Sequence, residues 1–333
     1  MTRRESIKLS TLTLTTLALP FPLSAISKFN PMKDKKEFDV IIIGGSYSGL
    51  SAAMTLGRSL RNVLIIDASQ PCNRDTPHSQ NFITQDGEEP HVIAEKARTQ
   101  VLKYDTVKLV NDFATEAKKT NLGFKISTQS GNTYEAKKLI IATGIKDILP
   151  NIIGFKETWA KSVIHCPYCH GYEFRNKKTA IRSNGDKAYH MIPLIYNLSK
   201  RLSVITQGKP DFTEEQLAHL KKHNIPIIEK DIMEIVHENG AVKHVIYKDG
   251  SFEDFDAIYV QLPFEQHITI PEDLGCASTE AGYIQVDDMQ KTTVPGIYAC
   301  GDNSNKFRSV ANAVRSGNIA GAMLNMELAH EAF

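Results

Sequence analysis

Residues 38–67, FDVIIIGGSYSGLSAAMTLGRSLRNVLIID, constrain the fold of this chain more than any other stretch. Val40, Ile41, Ile42 and Ile43 form an unbroken apolar run, the pattern of a strand buried on both faces of a parallel sheet. Gly44, Gly45 and Gly49 follow at once, and then LSAAMTLGRSL, a segment of helix-forming composition. A second apolar run, VLIID, ends in Asp67. Strand, glycine turn, helix, strand and terminal acid within about thirty residues make a dinucleotide-binding βαβ unit. The glycines let the backbone approach a pyrophosphate, and the helix N-terminus supports its charge. Asp67 is placed to accept a hydrogen bond from a ribose hydroxyl. Ser46 stands where the usual second glycine of G-x-G-x-x-G would be.

Near the C-terminus, TTVPGIYACGDNSNKFRSVANAVRSGNIAGAMLN offers a second dinucleotide element. An apolar strand over residues 296–300 runs into Gly301-Asp302, and a helix of small residues follows over roughly 309–325. Such a turn can offer a carboxylate to a ribityl hydroxyl and backbone amides to a phosphate. In KKLIIATGI, Ala142, Thr143 and Gly144 close a third strand. In their order and spacing, the three segments resemble the FAD domain of the two-dinucleotide-fold flavoproteins.

Between the last two lies an insert, residues 148–270. It opens with HCPYCHGYE and continues as KKTAIRSNGDKAYHMIPLIYNLSKRLSVITQG, again strand, turn, helix, strand. An FAD domain interrupted by a second Rossmann-like domain with C-x-x-C near its start resembles the low-molecular-weight thioredoxin reductases and their relatives, the flavin-dependent dithiol oxidases. The likeness covers nearly all of residues 38–330. It implies an α/β fold of two Rossmann-like domains. The FAD domain takes residues 38–147 and 271–333, and the NAD(P)-binding-like domain takes residues 148–270.

Taken alone, Cys166 and Cys169 with a histidine on each side fit an attached haem, a zinc site or a redox disulfide. The Rossmann frame provides neither a second axial ligand nor a haem pocket. Adjacent Cys and His side chains point apart, which disfavours zinc and leaves no metal expected. A disulfide relay beside a flavin is the expectation, with a purely structural disulfide as the plain alternative. By the resemblance, Cys169 exchanges electrons with the flavin and Cys166 with the substrate. Thioredoxin reductases usually carry an acid directly after the second cysteine. Here that residue is His170, and His165 precedes the pair, an arrangement closer to the dithiol oxidases, in which a histidine is the base.

The nicotinamide half of the pattern is weakened. The first turn of the insert reads Ser183-Asn184-Gly185-Asp186-Lys187-Ala188, without its first glycine. Thr206-Gln207-Gly208 holds neither an arginine for a 2′-phosphate nor an acid for a ribose. NADP(H) or NAD(H) is therefore doubtful, with Lys187 and Lys209 as the available cations. FAD is the expected cofactor. Its expected contacts are Gly44, Gly45, Ser46, Gly49, Asp67, Ala142, Thr143, Gly144, Gly301 and Asp302. Asn73, His78, Asn81 and Gln85 join them from the loop after Asp67, and Ser309, Val310 and Ala311 from the last helix.

These features point to a flavin-linked dithiol oxidase of a small dithiol, with a reductase of a thioredoxin-like protein and a flavin-binding sensor as alternatives. A net charge of +1 over 333 residues gives no reason to expect a nucleic-acid partner. Residues 1–25 have the basic start, apolar run and small-residue end of an export signal, and Arg3-Arg4 resembles the twin-arginine type. Residues 26–37 read as a polar linker, and no later run is long enough to span a bilayer. The expectation is an exported, periplasmic protein, homodimeric by resemblance. Cys72, Cys276 and Cys300 read as small buried hydrophobes.

Overall fold

Glu37–Ile43, Val63–Asp67 and Val107–Asn111 lie side by side in parallel, and Thr133–Ile141 pairs with the other edge of Glu37–Ile43. The structure, a computed structural model, describes residues 37–333. Its first strand begins at Glu37, one residue inside the expected linker. The proposed export signal lies outside the described residues.

Thr133–Ile141 serves two partners along one edge. Its first half pairs antiparallel with Gly123–Thr128, which continues to Ala114–Thr120, and its second half pairs parallel with Ile297–Ala299. The central parallel strands of the seven-stranded sheet are buried on both faces. Val40, Ile42, Val63, Ile65 and Ile140 pack against the helices Tyr47–Arg58 and Val310–Ala332. Ile41, Ile43, Leu64, Ile66, Leu139 and Ile141 pack on the opposite side with Phe124, Ile126 and Ile270. The period of two explains why the strands read as continuous apolar runs. The small residues of the last helix have an equally direct cause. A Cβ on Gly317 would stand 2.0 Å from the Ser48 carbonyl oxygen, so the two helices touch backbone to backbone. That helix continues to Ala332, beyond the residue-325 end expected from its composition.

A second, five-stranded parallel sheet is inserted into this fold. Its order is Ile227–Ile228, Leu202–Ile205, Thr179–Arg182, Ala257–Val260 and Val163–Ile164. Helix Gly185–Leu198 covers one face, and an antiparallel sheet of Ile232–Glu238, Ala241–Tyr247 and Phe252–Asp254 covers the other. The chain passes between the two layers twice. The outgoing Ile145–Asp147 and the returning Phe264–Gln266 pair as a short antiparallel ribbon. No helix among the described residues is long and apolar enough to cross a membrane.

Candidate active site

The turn after the first strand is built to bring backbone close to a ligand. Gly44 has φ of 107°, and a Cβ there would sit 2.3 Å from the Ala142 carbonyl oxygen. Gly45 N–H donates to Asp67 Oδ1 at 3.0 Å, and Arg98 Nη2 donates to Asp67 Oδ2 at 3.1 Å. Ser46 is the N-cap of helix Tyr47–Arg58, yet its side chain makes no capping bond, which leaves first-turn amides for an anion. Gly49 packs on the Gly44 carbonyl. Gly44, Gly45, Ser46 and Asp67 line a cavity of about 600 Å³.

Ser46, Pro71, Ala142 and Thr143 also line a second chamber of about 140 Å³, so the two share a wall. On this second chamber stand Gly144, Asp302, Ser309, Val310 and, from the loop after Asp67, Asn73, His78 and Asn81. Asn73 Nδ2 donates to the Tyr47 hydroxyl at 3.4 Å, and His78 Nδ1 lies 3.1 Å from the Gly87 carbonyl. Asn81 holds φ of 60°. Gln85 accepts from Lys96 Nζ at 3.3 Å, and Ala311 is exposed; neither lines the two chambers. Gly301 lies behind the wall against Ser48.

The inserted layer supplies the far wall of the second chamber. Cys166 and Cys169 form a disulfide with Cα atoms 5.3 Å apart. Cys169, His165 and His170 line the chamber, and Cys166 does not. Cys166 caps the short helix Pro167–His170, and the Cys169 amide donates to Cys166 Sγ at 3.1 Å. A sulfur that accepts an amide hydrogen bond is a better thiolate. The two sulfurs are bonded to each other, and no cluster of three or more metal-ligating side chains occurs among the described residues.

The two histidines differ. The His165 ring stands 5.8 Å from Trp159, which in turn stacks on Phe155 at 6.2 Å. Loss of bulk water pushes the His165 imidazole down to about 3, and the positive charge of Arg308 acts in the same direction. Burial also lowers His170, but Glu173 opposes the shift. Both are neutral near pH 7. Their folded values lie below the ordinary histidine value, so the stability they support is present above about pH 6.5 and is lost as the pH falls.

Three groups that the sequence did not single out organise the floor. Arg308 Nη1 and Nη2 bind the two carboxylate oxygens of Asp147 at 2.8 and 2.9 Å, joining the interlayer ribbon to the start of the last helix. Arg308 Nε lies 3.6 Å from Asp302 Oδ2. Cys72 corrects the expectation of a buried hydrophobe. It is reached from the chamber, and its thiol donates to Asp302 Oδ2 at 3.6 Å, whereas Cys276 and Cys300 are buried. Although Cys72 is open to the chamber, the protein walls that crowd its thiol, and then the Asp302 charge, push it above the ordinary cysteine value, so it remains protonated. Burial raises Asp302 as well, and Arg308 opposes that shift.

The arrangement fits an elongated dinucleotide that ends in a redox ring. Among the described residues, buried polar atoms without a hydrogen-bond partner stand at both ends, Arg98 Nε beside Asp67 and Arg308 Nε beside Asp302. Gly44, Gly45, Ser46 and Asp67 would hold the nucleotide end of FAD, and Asp302, Ser309 and Val310 the end nearer the cysteines. Asp302→Ala is expected to raise the apparent Kd for FAD roughly tenfold or more, the cost of one lost hydrogen bond to a charged group. Flavin absorbance per protein after extensive dilution measures it, and full occupancy would remove Asp302 from the binding set.

The sequence pattern of the pyridine nucleotide-disulphide oxidoreductases matches residues 38–317. A thioredoxin reductase of Claviceps purpurea is 30% identical over 301 residues, covering 87% of this chain and 94% of that protein. Among solved structures, a Bacillus anthracis thioredoxin reductase superposes with a TM-score of 0.85 at 30% identity, over 89% of this chain and all of that one. An Agrobacterium tumefaciens oxidoreductase superposes at 0.82 with 37% identity, over 88% of this chain and 99% of its own. With the family pattern spanning both layers and Cys169 of the disulfide standing on the wall of the second chamber, the chain belongs to the pyridine nucleotide-disulphide oxidoreductases, as a thioredoxin-reductase-like, FAD-dependent enzyme that acts on sulfur groups.

Proposed function

We propose that this enzyme is a dithiol oxidase that takes electrons from a small dithiol and delivers them to oxygen or another acceptor. The observation that carries the reading is the chamber wall itself, which Cys169 shares with His165 and His170. A substrate thiolate attacks Cys166 Sγ, and the bond to Cys169 breaks, with Cys169 leaving as the thiolate. The second substrate thiolate then attacks the substrate sulfur of the mixed disulfide, and Cys166 leaves. The substrate has lost two electrons and two protons, and the cysteine pair has gained the electrons. FAD, when bound, supplies the two-electron sink that returns the pair to the disulfide. His170, the less depressed of the two imidazoles, takes the substrate proton.

In this reading, residues 38–147 and 271–333 hold the flavin and residues 148–270 carry the cysteines. The protein is exported and works as a homodimer. A second reading, reduction of a thioredoxin-like protein by NADPH, is favoured by the names of the relatives. Anaerobic mixing separates the two. Fast bleaching of the flavin by dithiothreitol, with recovery in air and none by NADPH, is expected. Fast bleaching by NADPH would establish the reductase instead.

His170→Gln is expected to slow bleaching by dithiothreitol about a hundredfold. Because burial depresses His170, the base form persists below pH 6.5, and the wild-type rate should fall only on further acidification. The variant should lack that acid limb. An unchanged pH profile would move the proton to another group.

A further inference from the structure

We infer that Asn184 is a specificity-determining residue that seals the second nucleotide turn, so that electrons enter from dithiols and not from a nicotinamide. For its functional meaning the inference rests on the dithiol-oxidase reading.

In a doubly wound sheet, a dinucleotide lies across the carboxyl ends of the strands. Its pyrophosphate meets the first turn and helix N-terminus, and its adenosine ribose meets the end of the next strand. The corresponding places here are the turn Ser183-Asn184-Gly185, the start of helix Gly185–Leu198, and the segment that follows Leu202–Ile205. The Asn184 side chain bridges them. Its Oδ1 accepts from the Gly185 amide at 2.8 Å and from the Asp211 amide at 2.8 Å. Its Nδ2 donates to the Lys209 carbonyl at 2.9 Å. Both lone pairs of the amide oxygen are filled, so the first helical amide is already engaged.

A second tie lies one turn further. Gln216 Nε2 donates to Asp186 Oδ1 at 2.8 Å, which fastens residues 209–216 along the start of the helix. The space is tight as well. A Cβ on Gly185 would stand 2.9 Å from the Asp211 carbonyl oxygen and 3.3 Å from its Oδ2. The carboxylates of Asp186 and Asp211 thus stand where a phosphate would bring two negative charges, and like charges at short range repel. Lys187 and Lys209 are both exposed.

The test compares wild type, Asn184→Gly, and the double variant Asn184→Gly/Asp211→Asn. NADPH and NADH are titrated into each while nicotinamide fluorescence is followed. Anaerobic flavin bleaching is then timed with NADPH and, separately, with dithiothreitol. The expected result is a wild-type Kd beyond the titrated range, a Kd for Asn184→Gly at least roughly tenfold below that limit because of the freed amide, and a lower Kd again in the double variant. Bleaching by dithiothreitol should be unchanged in all three, which also shows that the variants are folded. Tight NADPH binding by wild type, or variants that bind no better than wild type, would overturn the role of Asn184. A wild type that binds no NADPH and is not bleached by dithiothreitol would refute the dithiol-oxidase reading and leave the seal standing.

Discussion

Cys169→Ser is expected to abolish flavin reduction by dithiols, by at least about a thousandfold, while FAD stays bound. Serine replaces the sulfur at nearly the same size, so the chamber wall keeps its shape. The disulfide cannot form, and no redox-active sulfur remains on the flavin side, because Cys166 does not line the chamber and the remaining chamber thiol, Cys72, is held protonated against Asp302 and belongs to no disulfide. Cys166→Ser should be as inactive but spectrally different. It leaves Cys169 as a free thiol on the chamber wall, so its flavin absorption should change as that thiol ionises with rising pH. Cys169→Ser should show no such change. If the titration appeared in Cys169→Ser and not in Cys166→Ser, the roles of the two cysteines would be exchanged.

Gly44→Ala should yield a protein that no longer retains FAD. The backbone there has φ of 107°, a region that an alanine enters only under strain, and the new methyl would meet the Ala142 carbonyl oxygen at 2.3 Å. Relief requires the turn to move away from the end of Thr133–Ile141, and the turn is where the nucleotide approaches. The combined strain is about 3 kcal/mol. For a fold of this size that lowers the thermal midpoint by about 5 °C, beyond the stability lost with the cofactor itself. Calorimetry of the apoprotein isolates the first effect, and flavin absorbance after gel filtration measures the second. A variant that keeps its flavin through gel filtration would show that the turn has room to relax.

The parts of this protein that could be read from sequence are those in which chemistry and short-range geometry coincide. Val40 to Ile43, the glycines and Asp67 lie within one βαβ unit, so their order along the chain already sets their places in space. Cys166 and Cys169 are three residues apart and can reach each other only in a tight turn. The small residues of the last helix were legible as composition, although the close approach of Gly317 to Ser48 that requires them was not.

The tertiary structure alone decided what those parts face. It turned Cys169 toward the chamber and left Cys166 off it. It separated two similar histidines by setting one at a tilt against Trp159, within reach of the charge of Arg308. It joined Asp147 to Arg308 across 161 residues and placed the Cys72 thiol on Asp302 across 230. In sequence, Asn184 is only the variable residue after a missing glycine; in space its amide is a clasp on Lys209 and Asp211. The physical reason is the same in each case. Local sequence sets backbone geometry over one or two elements, whereas ion pairs, burial and cavity walls depend on which elements the sheet order brings together.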